Sequence, residues 1–323
     1  TQSRSSAASD VYKRQVVMGA FAGQALTTGA DNVAVGFEAL LTEDTHGNNT
    51  ALGFRALKTL NAGADAYNVA VGANAGLAMT TGVRNVLIGG NTGDALTDGN
   101  YNTAVGYQAL SDDDQGEYNT AMGYFALENY NDGDGNGHNT AVGAQSQRNA
   151  STGEFNTSLG SLSMGAGVVT ANHCIAIGYK AGEALTSGNE NTLMGAFTGD
   201  SLTTGTSNTA LGYNALSTED NHGKNTAIGR AALNALNAGT DAFNVAVGYN
   251  AAVDMTTGVH NTIVGGLAGD ALTTGSYNIA IGQGALTTED TGSKSTALGY
   301  NALAAQNFNG DALNTAVGYF AGK

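Results

Sequence analysis

The 323-residue sequence contains no proline and no tryptophan, and it has only one cysteine. Without proline, and without a glycine at every third position, the chain cannot form a collagen triple helix. A single cysteine excludes a framework of intrachain disulfides. Charged residues are also scarce, at 12%, and 27 acidic residues stand against 12 basic ones. Because so little positive charge is present to neutralise phosphates, we expect no nucleic-acid partner.

Long apolar runs are absent too. No stretch of about 18 apolar residues occurs, so the sequence predicts no membrane insertion. The chain is nevertheless 41% hydrophobic and contains 48 glycines, and this glycine content is roughly twice the usual frequency. The hydrophobic residues recur at fixed spacing, which argues against disorder and in favour of a repeat architecture.

Residues 1–15 share no pattern with the rest of the chain. The segment from Asp10 to Gln15 back-translates to GATGTGTATAAGAGACAG, which resembles the transposon end used to prepare sequencing libraries. We therefore expect residues 1–15 to be a non-native scar of metagenomic sequencing, with a natural polar tail as the alternative. On this interpretation the true N-terminus is missing, and residues 16–323 form a single repeat domain.

From Gln15 onward the chain consists of eighteen copies of a unit that begins Asn-Thr-Ala-Val-Gly and usually spans about 17 residues. Position two is always β-branched and position four is always a larger aliphatic residue or Met, which is typical of an extended strand. Alternate residues of a strand face opposite sides, so positions two and four share one side, and positions one and three share the other. The copies start at residues 15, 32, 49, 68, 85, 102, 119, 139, 156, 174, 191, 208, 225, 244, 261, 278, 295 and 314.

Position five is Gly in every copy, which predicts a bend or a close backbone approach that no Cβ would permit. A second short segment follows, often aromatic-x-Ala-Leu as in Tyr107 to Leu110, and then a polar turn as in Thr273 to Gly275. We interpret one rung as strand, bend, short strand and turn. Stacked rungs predict an all-β fold, a parallel β-solenoid (β-roll) of about 18 rungs, roughly 85 Å long at about 4.8 Å per strand.

A longer period lies above the rung, because four-rung blocks recur after 70 residues. We expect the bulky third-position residues that keep this period to plug a recurring gap in the packing. They are Val17, Leu87, Leu193 and Ile263. Acidic turns recur on the same period, and we interpret them as a solvated acidic edge rather than as cation sites. They are Glu43-Asp44, Asp112 to Asp114, Glu219-Asp220 and Glu289-Asp290.

Neither side of the predicted strand carries charge, which is typical of a sheet covered on both faces. The chain's own second segment can supply one cover, and a neighbouring chain is expected to supply the other. A 17-residue rung also encloses little core, and stacked units need partners and caps. The sequence therefore predicts a parallel homo-oligomer, a trimer in the first place.

The motif Asn-Thr-Ala-Val-Gly-Tyr-x-Ala-Leu, present at residues 102–110 and 208–216, resembles the Gly-punctuated repeats of phage tail-fibre proteins and their bacterial relatives. It is also similar to the head repeats of trimeric autotransporter adhesins, whose units carry a Ser-Val-Ala-Ile-Gly core. The resemblance covers all the repeats from residue 15. It implies a homotrimeric β-roll shaft, extracellular or on the surface of a virion. The adhesin unit is usually shorter, and no anchor, coiled-coil stalk or chaperone domain follows Lys323, so the resemblance implies a fragment.

One segment matches the opening of a Ca²⁺ loop, in which alternating oxygen ligands and glycines surround a hard cation. Its candidate ligands are Asp132, Asp134 and Asn136. Gly143 stands where such a loop would place its closing Glu, and the alternative is a protruding polar loop. No other cofactor is expected.

Aromatic residues follow the bend glycine in half of the rungs. Such a column could stack on sugar rings of cell-surface glycans or receptors, or it could cover the corner of the roll. The candidates for glycan stacking are Tyr107, Tyr124, Tyr179, Tyr213 and Tyr249. An ice-binding face is disfavoured, because Thr50, Thr103 and the rest of their column alternate with Val and Ile, which suggests burial.

The sequence offers no catalytic residues. All five histidines fall in turns without a metal or nucleophile motif, and Cys174 is expected to be a packed thiol. We therefore predict a non-enzymatic extracellular structural shaft of the tail-fibre or adhesin kind. Two alternatives stay open: a subunit of a polymerising extracellular filament, and a glycan-binding or glycan-cleaving spike, for which paired carboxylates suffice.

Overall fold

The computed structural model describes residues 14–131, 133 and 136–323. Its contacts divide the chain into two compact units, residues 1–156 and 157–323. Both consist of three-residue parallel strands about 17 residues apart, so the predicted all-β parallel β-solenoid of about 18 rungs is confirmed. The described residues include no helix, and hence no helical segment that is long and apolar enough to cross a membrane.

Each strand comprises positions two to four of its rung, and each unit stacks its strands in sequence order and in register. In the first unit, for example, Thr103 pairs with Thr120 and Val105 with Met122. The first unit contains β1 Val16–Met18, β2 Val33–Val35, β3 Thr50–Leu52, β4 Val69–Val71, β5 Val86–Ile88, β6 Thr103–Val105, β7 Thr120–Met122 and β8 Thr140–Val142. The second contains β9 Thr157–Leu159, β10 Ile175–Ile177, β11 Thr192–Met194, β12 Thr209–Leu211, β13 Thr226–Ile228, β14 Val245–Val247, β15 Thr262–Val264, β16 Ile279–Ile281, β17 Thr296–Leu298 and β18 Thr315–Val317.

The core lies on the side of positions one and three. Ala104 at position three is fully buried, as are Ala109 and Leu110 of the second segment, which covers this side of the sheet as expected. Positions two and four face outward instead. The expectation that the Thr column is buried is therefore wrong, since Thr50 and Thr103 are only partly covered. In so narrow a rung only a small side chain fits between the sheet and the second segment, so Ala takes the inside.

The second segment is not a strand, contrary to the interpretation from sequence. Its residues alternate into the left-handed region, with φ 56° at Glu38 and 50° at Leu40, which an extended strand does not allow. Hydrogen bonds to neighbouring rungs hold it, for instance from the N–H of Leu40 to the carbonyl of Ala56 at 3.0 Å. The segment has to cross the back of the sheet within four residues. Consecutive tight turns are short enough for this, whereas an extended strand of four residues would be too long.

The position-five glycines act as predicted. Gly36 has φ 138°, and a Cβ there would overlap the carbonyl oxygen of Gly53 in the next rung. Both the backbone conformation and the close approach therefore require glycine at this column.

The predicted plugging of a gap is confirmed for Leu87, Leu193 and Ile263, which are fully buried, whereas Val17 in the first described rung is 41% exposed. Leu87 at position three is fully buried, and in the same rung Gly93 stands where eight of the eighteen rungs have the second-segment Leu. A Cβ at Gly93 would lie 3.0 Å from Leu87 Cδ2, so the leucine fills the space that the glycine leaves. The rungs with this exchange pair Val17 with Gly23, Leu87 with Gly93, Leu193 with Gly199 and Ile263 with Gly269.

A buried asparagine ladder runs along position one. The Oδ1 atom of Asn85 accepts a hydrogen bond from the backbone N–H of Asn102 at 2.9 Å, and its Nδ2 donates to the carbonyl of Gly99 at 2.8 Å. These side chains satisfy backbone groups that the core would otherwise leave unpaired, and so they bind each rung to the next. Fully or almost fully buried members are Asn32, Asn49, Asn68, Asn85, Asn102, Asn119, Asn139, Asn156, Asn191, Asn208, Asn225, Asn244, Asn261 and Asn278.

The acidic turns are not simply a solvated edge. Glu43, Asp113, Glu219 and Glu289 are fully buried, each in the rung before a longer rung. Glu219 shows the reason: its Oε1 accepts the N–H of His222 at 3.1 Å, and its Oε2 accepts the N–H of Ala238 in the insertion of the next rung at 3.2 Å. One carboxylate of each of these turns thus lies inside, and at Glu219 it holds the longer loop in place.

Candidate binding surface

The outward face of each unit consists of columns two and four, and no residue of either column is charged. In the first unit, column four alternates between Val and a larger residue. The larger members are Met18, Leu52, Ile88 and Met122, and the last three expose 44%, 38% and 42% of their surface. All residues of columns two and four in the first unit are half-buried or exposed, and most are apolar. The outward face of this unit is therefore apolar and open to solvent.

Aromatic rings border the outward face on the side of the bend. Phe37 and Phe54 stack with their ring centroids 5.5 Å apart and planes 12° apart. Tyr107 and Tyr124 stack likewise at 5.8 Å and 16°. In both pairs the rings of successive rungs lie face to face along the stacking direction.

A second aromatic column borders the other side, and the sequence analysis missed it. It consists of the residue directly before position one, here called the leading column. In the first unit Tyr101, Tyr118, His138 and Phe155 form a continuous stack, with centroids 4.9, 4.8 and 5.1 Å apart. The signal was present in the sequence as aromatic rings or histidine before the Asn of successive rungs.

Cations terminate two of these leading-column stacks. The guanidinium of Arg84 lies 5.3 Å from the Tyr101 ring centroid and donates to the Tyr101 hydroxyl at 2.5 Å. In the second unit Phe243, His260 and Tyr277 stack in the same column, with centroids 5.3 and 5.0 Å apart. The Lys224 ammonium lies 5.1 Å from the Phe243 ring centroid. Such contacts stabilise the outermost ring by about 0.5–1 kcal/mol at exposed sites.

All five tyrosines proposed for glycan stacking are exposed, but their ring faces differ in access. In a stacked pair such as Tyr107 and Tyr124, each ring covers one face of the other, so each can offer only its second face and its edges to a ligand. Tyr249 has the Arg230 guanidinium 5.4 Å from its ring centroid. Tyr179 and Tyr213 instead meet Phe197 edge-on, at 5.3 Å and 90° and at 6.0 Å and 83°.

Two of the predicted calcium ligands, Asp132 and Asp134, lie outside the described residues. Asn136 is exposed, and its backbone carbonyl accepts a hydrogen bond from the Tyr130 hydroxyl at 3.1 Å. The calcium loop therefore stays a prediction.

Two Glu-Asp-His groups recur at equivalent turns, one in each unit. Possible ligand atoms of Glu43, Asp44 and His46 lie within 4.8 Å of one another, and the same holds for Glu219, Asp220 and His222. In each group, however, the buried glutamate already accepts two backbone hydrogen bonds, as Glu43 does from the N–H groups of His46 and Ala62. Turn stabilisation accounts for these carboxylates.

Cys174 replaces the ladder asparagine in one rung and is buried, as expected for a packed thiol. Burial raises the pKa of its thiol, which opposes the reactive thiolate. Its Sγ lies 3.2 Å from the carbonyl of Gly188, on the side where an asparagine Nδ2 would donate.

An ice-binding face was disfavoured because the Thr column was expected to be buried. Since this column faces outward, burial no longer argues against such a face. A different observation takes its place: column four beside it varies from Val71 to Met122, and aromatic rings border both sides. The face is apolar and ridged rather than a flat array of hydroxyls.

No family model matches the chain, and no curated protein matches it. The repeated bonding within each unit and the open outward face are therefore the observations from which a function is inferred.

Proposed function

We propose that the chain is a non-enzymatic structural shaft, extracellular or on the surface of a virion, of the tail-fibre or adhesin kind. The observation that carries this proposal is the repetition of the same inter-rung bonds throughout each unit. A protein with a single functional site concentrates polar side chains at that site. Here the buried polar side chains, such as those of the asparagine ladder, form hydrogen bonds between neighbouring rungs instead.

Three bonding systems support stiffness. The strands pair in register, the buried asparagines link rung to rung, and the second segments bond to their counterparts, as from the Leu57 N–H to the Ala75 carbonyl at 3.0 Å. In a stacked repeat such nearest-neighbour terms determine stability. Bending the stack would strain all three systems at once.

The acidic groups support a non-enzymatic role. A glycan-cleaving site needs two carboxyl groups facing one substrate at a defined separation. Here Glu219 and Glu289 are buried and accept backbone N–H groups at 2.8–3.2 Å, so each carboxylate is committed to its own turn and to the longer loop of the next rung.

We propose that the shaft works as a parallel homo-oligomer. The open outward face supports this, because apolar patches of several hundred Å² on soluble proteins usually mark contacts. The trimer that the resemblance implies stays a prediction.

Electron microscopy of the purified chain tests the shaft. Stiff rods of one length, roughly 85 Å at about 4.8 Å per rung, are expected. Long continuous filaments would favour the polymerising subunit instead, and compact round particles would contradict both.

A glycan-binding role is a second candidate, which the arrangement around Phe197 favours. Tyr179 and Tyr213 stand two rungs apart, roughly 9.6 Å, and the rung between them has the small Ala196 at the same position, directly after the bend glycine. Both rings meet Phe197 edge-on, so neither is stacked on it. Phe197 lies between the two tyrosines, so a sugar ring would stack on one tyrosine rather than enter between them. Glycan-array binding should be lost in Tyr213→Ala and retained in the stacked control Tyr107→Ala; an array with no binding would exclude this role.

A further inference from the structure

The outward face of the first unit is large enough for a stable contact. Eight stacked strands span roughly 38 Å, and with both aromatic columns the face is roughly 20 Å wide. Its flat area is then about 750 Å², close to the roughly 800 Å² that one partner contributes to a standard interface. Exposed rings such as Tyr118 and Tyr124 at its borders are of the kind enriched in interfaces.

The face also has a strict period, because each strand presents one residue of column two and one of column four. A partner that contacts the whole face has to repeat at the same strand spacing. A second copy of this chain meets this condition without adjustment. Complementary charge is not required where columns two and four meet, since neither contains a charged residue; charges such as Asp31 and Arg84 lie in the bordering leading column.

Side-chain size selects the orientation of that copy. Column two holds short residues such as Thr50 and Thr120, and column four holds the longer Leu52 and Met122 in the same rungs. A two-fold axis parallel to the stacking direction keeps rungs level and reverses the strands. It therefore places column four of one copy against column two of the other. The other two-fold arrangement, which runs the copies in opposite directions, would place long residues against long ones.

We infer that two copies of this chain pair through columns two and four of the first unit, face to face, about a parallel two-fold axis. Long residues then fill the space above short ones, and sheets pack about 10 Å apart. The inference rests on the proposed homo-oligomeric shaft and specifies its contact. It proposes a dimer in place of the expected trimer, because a face-to-face pair covers the whole outward face of the described first unit and sets its long residues against short ones.

Sedimentation of the full chain and of variants tests the pairing. We expect a dimer for the unaltered chain. Leu52→Glu places two unpaired carboxylates in the contact, which should weaken the dimer at least about thirtyfold. The control Thr81→Glu adds the same charge at an exposed turn of the same unit and should leave the dimer unchanged. Circular dichroism checks that both variants stay folded.

Mixing variants tests the geometry. Thr50→Lys alone should also dissociate the dimer, yet a mixture of Thr50→Lys and Leu52→Glu chains should form a heterodimer. Lys at position 50 of one copy then meets Glu at position 52 of the other, while the remaining 50–52 contact keeps its native residues. No rescue in the mixture would overturn the parallel two-fold arrangement.

Results that overturn the dimer contact can be distinguished from results that overturn the shaft. A monomer at micromolar concentration that still forms stiff rods in micrographs would overturn the pairing and leave the shaft standing. A trimer would likewise overturn the dimer and not the shaft. A dimer that Leu52→Glu leaves intact would show that the copies meet elsewhere.

Discussion

Replacing Asn85 by alanine removes one member of the buried ladder and leaves the backbone in place. Two backbone groups lose their partners: the N–H of Asn102, 2.9 Å from Asn85 Oδ1, and the carbonyl of Gly99, 2.8 Å from Asn85 Nδ2. Leaving a buried polar group unpaired costs about 1–3 kcal/mol. The free energy of unfolding should therefore fall by about 4 kcal/mol.

Urea unfolding followed by far-UV circular dichroism measures this change, and amide hydrogen exchange at Asn102 reports it locally. Asn314 offers a matched control in the same column, because it is exposed and its Nδ2 bonds only the Gln306 side chain, at 2.8 Å. We expect Asn314→Ala to change stability by less than about 0.5 kcal/mol. Equal effects of the two substitutions would refute the view that the ladder joins the rungs.

Three further substitutions test other parts of the rung. Cys174→Asn should restore the ladder acceptor for Asn191 and raise the free energy of unfolding by about 1 kcal/mol in the same urea assay; no gain would mean that the thiol already satisfies its surroundings. Gly106→Ala should destabilise by more than about 4 kcal/mol, because φ is 141° and a Cβ would overlap the carbonyl of Gly123; a near-normal melting temperature would contradict the close approach. Burial raises the pKa of Asp94, so its charged form weakens the folded state above that pKa. Asp94→Asn should therefore raise the melting temperature at pH 7, and the advantage should vanish below about pH 4, where the carboxyl is protonated in both folded and unfolded chains; a gain independent of pH would contradict this.

The strand and its glycine bend could be predicted because they depend on local requirements. A β-branched residue at position two and glycine at position five repeat in all eighteen rungs, and each has one conformational reason. Register then follows from the constant spacing, as the pairing of Thr103 with Thr120 shows.

The inward side could not be predicted from hydrophobicity, because the more hydrophobic column lies outside. The limited space inside the rung determines which side faces inward. Ala104 is small enough to fit between the sheet and Leu110, whereas Val105 points outward, where this limit does not apply. The sequence did contain the deciding signal. Each bulky third-position residue has a glycine at position nine of its own rung, as Leu87 has Gly93, which is expected if the two residues share one interior.

The candidate surface was predicted in part. The tyrosines after the bend are exposed as a sugar-binding column requires, but the stacking of neighbours such as Tyr107 and Tyr124 depends on the angle of each ring, which spacing does not give. The buried Glu219 was misjudged because its partner, the N–H of Ala238, lies in the next rung's insertion.

Distances between spin labels within the first unit test the stacked-rung account most directly. Thr28, Asp98 and Thr152 occupy exposed turns, with Asp98 four rungs and Thr152 seven rungs from Thr28. Labels on cysteines at 28 and 98 should lie roughly 19 Å apart, and labels at 28 and 152 roughly 34 Å apart, since each rung adds about 4.8 Å. Dilution with unlabelled chain removes distances between copies. Two distances that do not grow in proportion to the number of rungs would contradict the account.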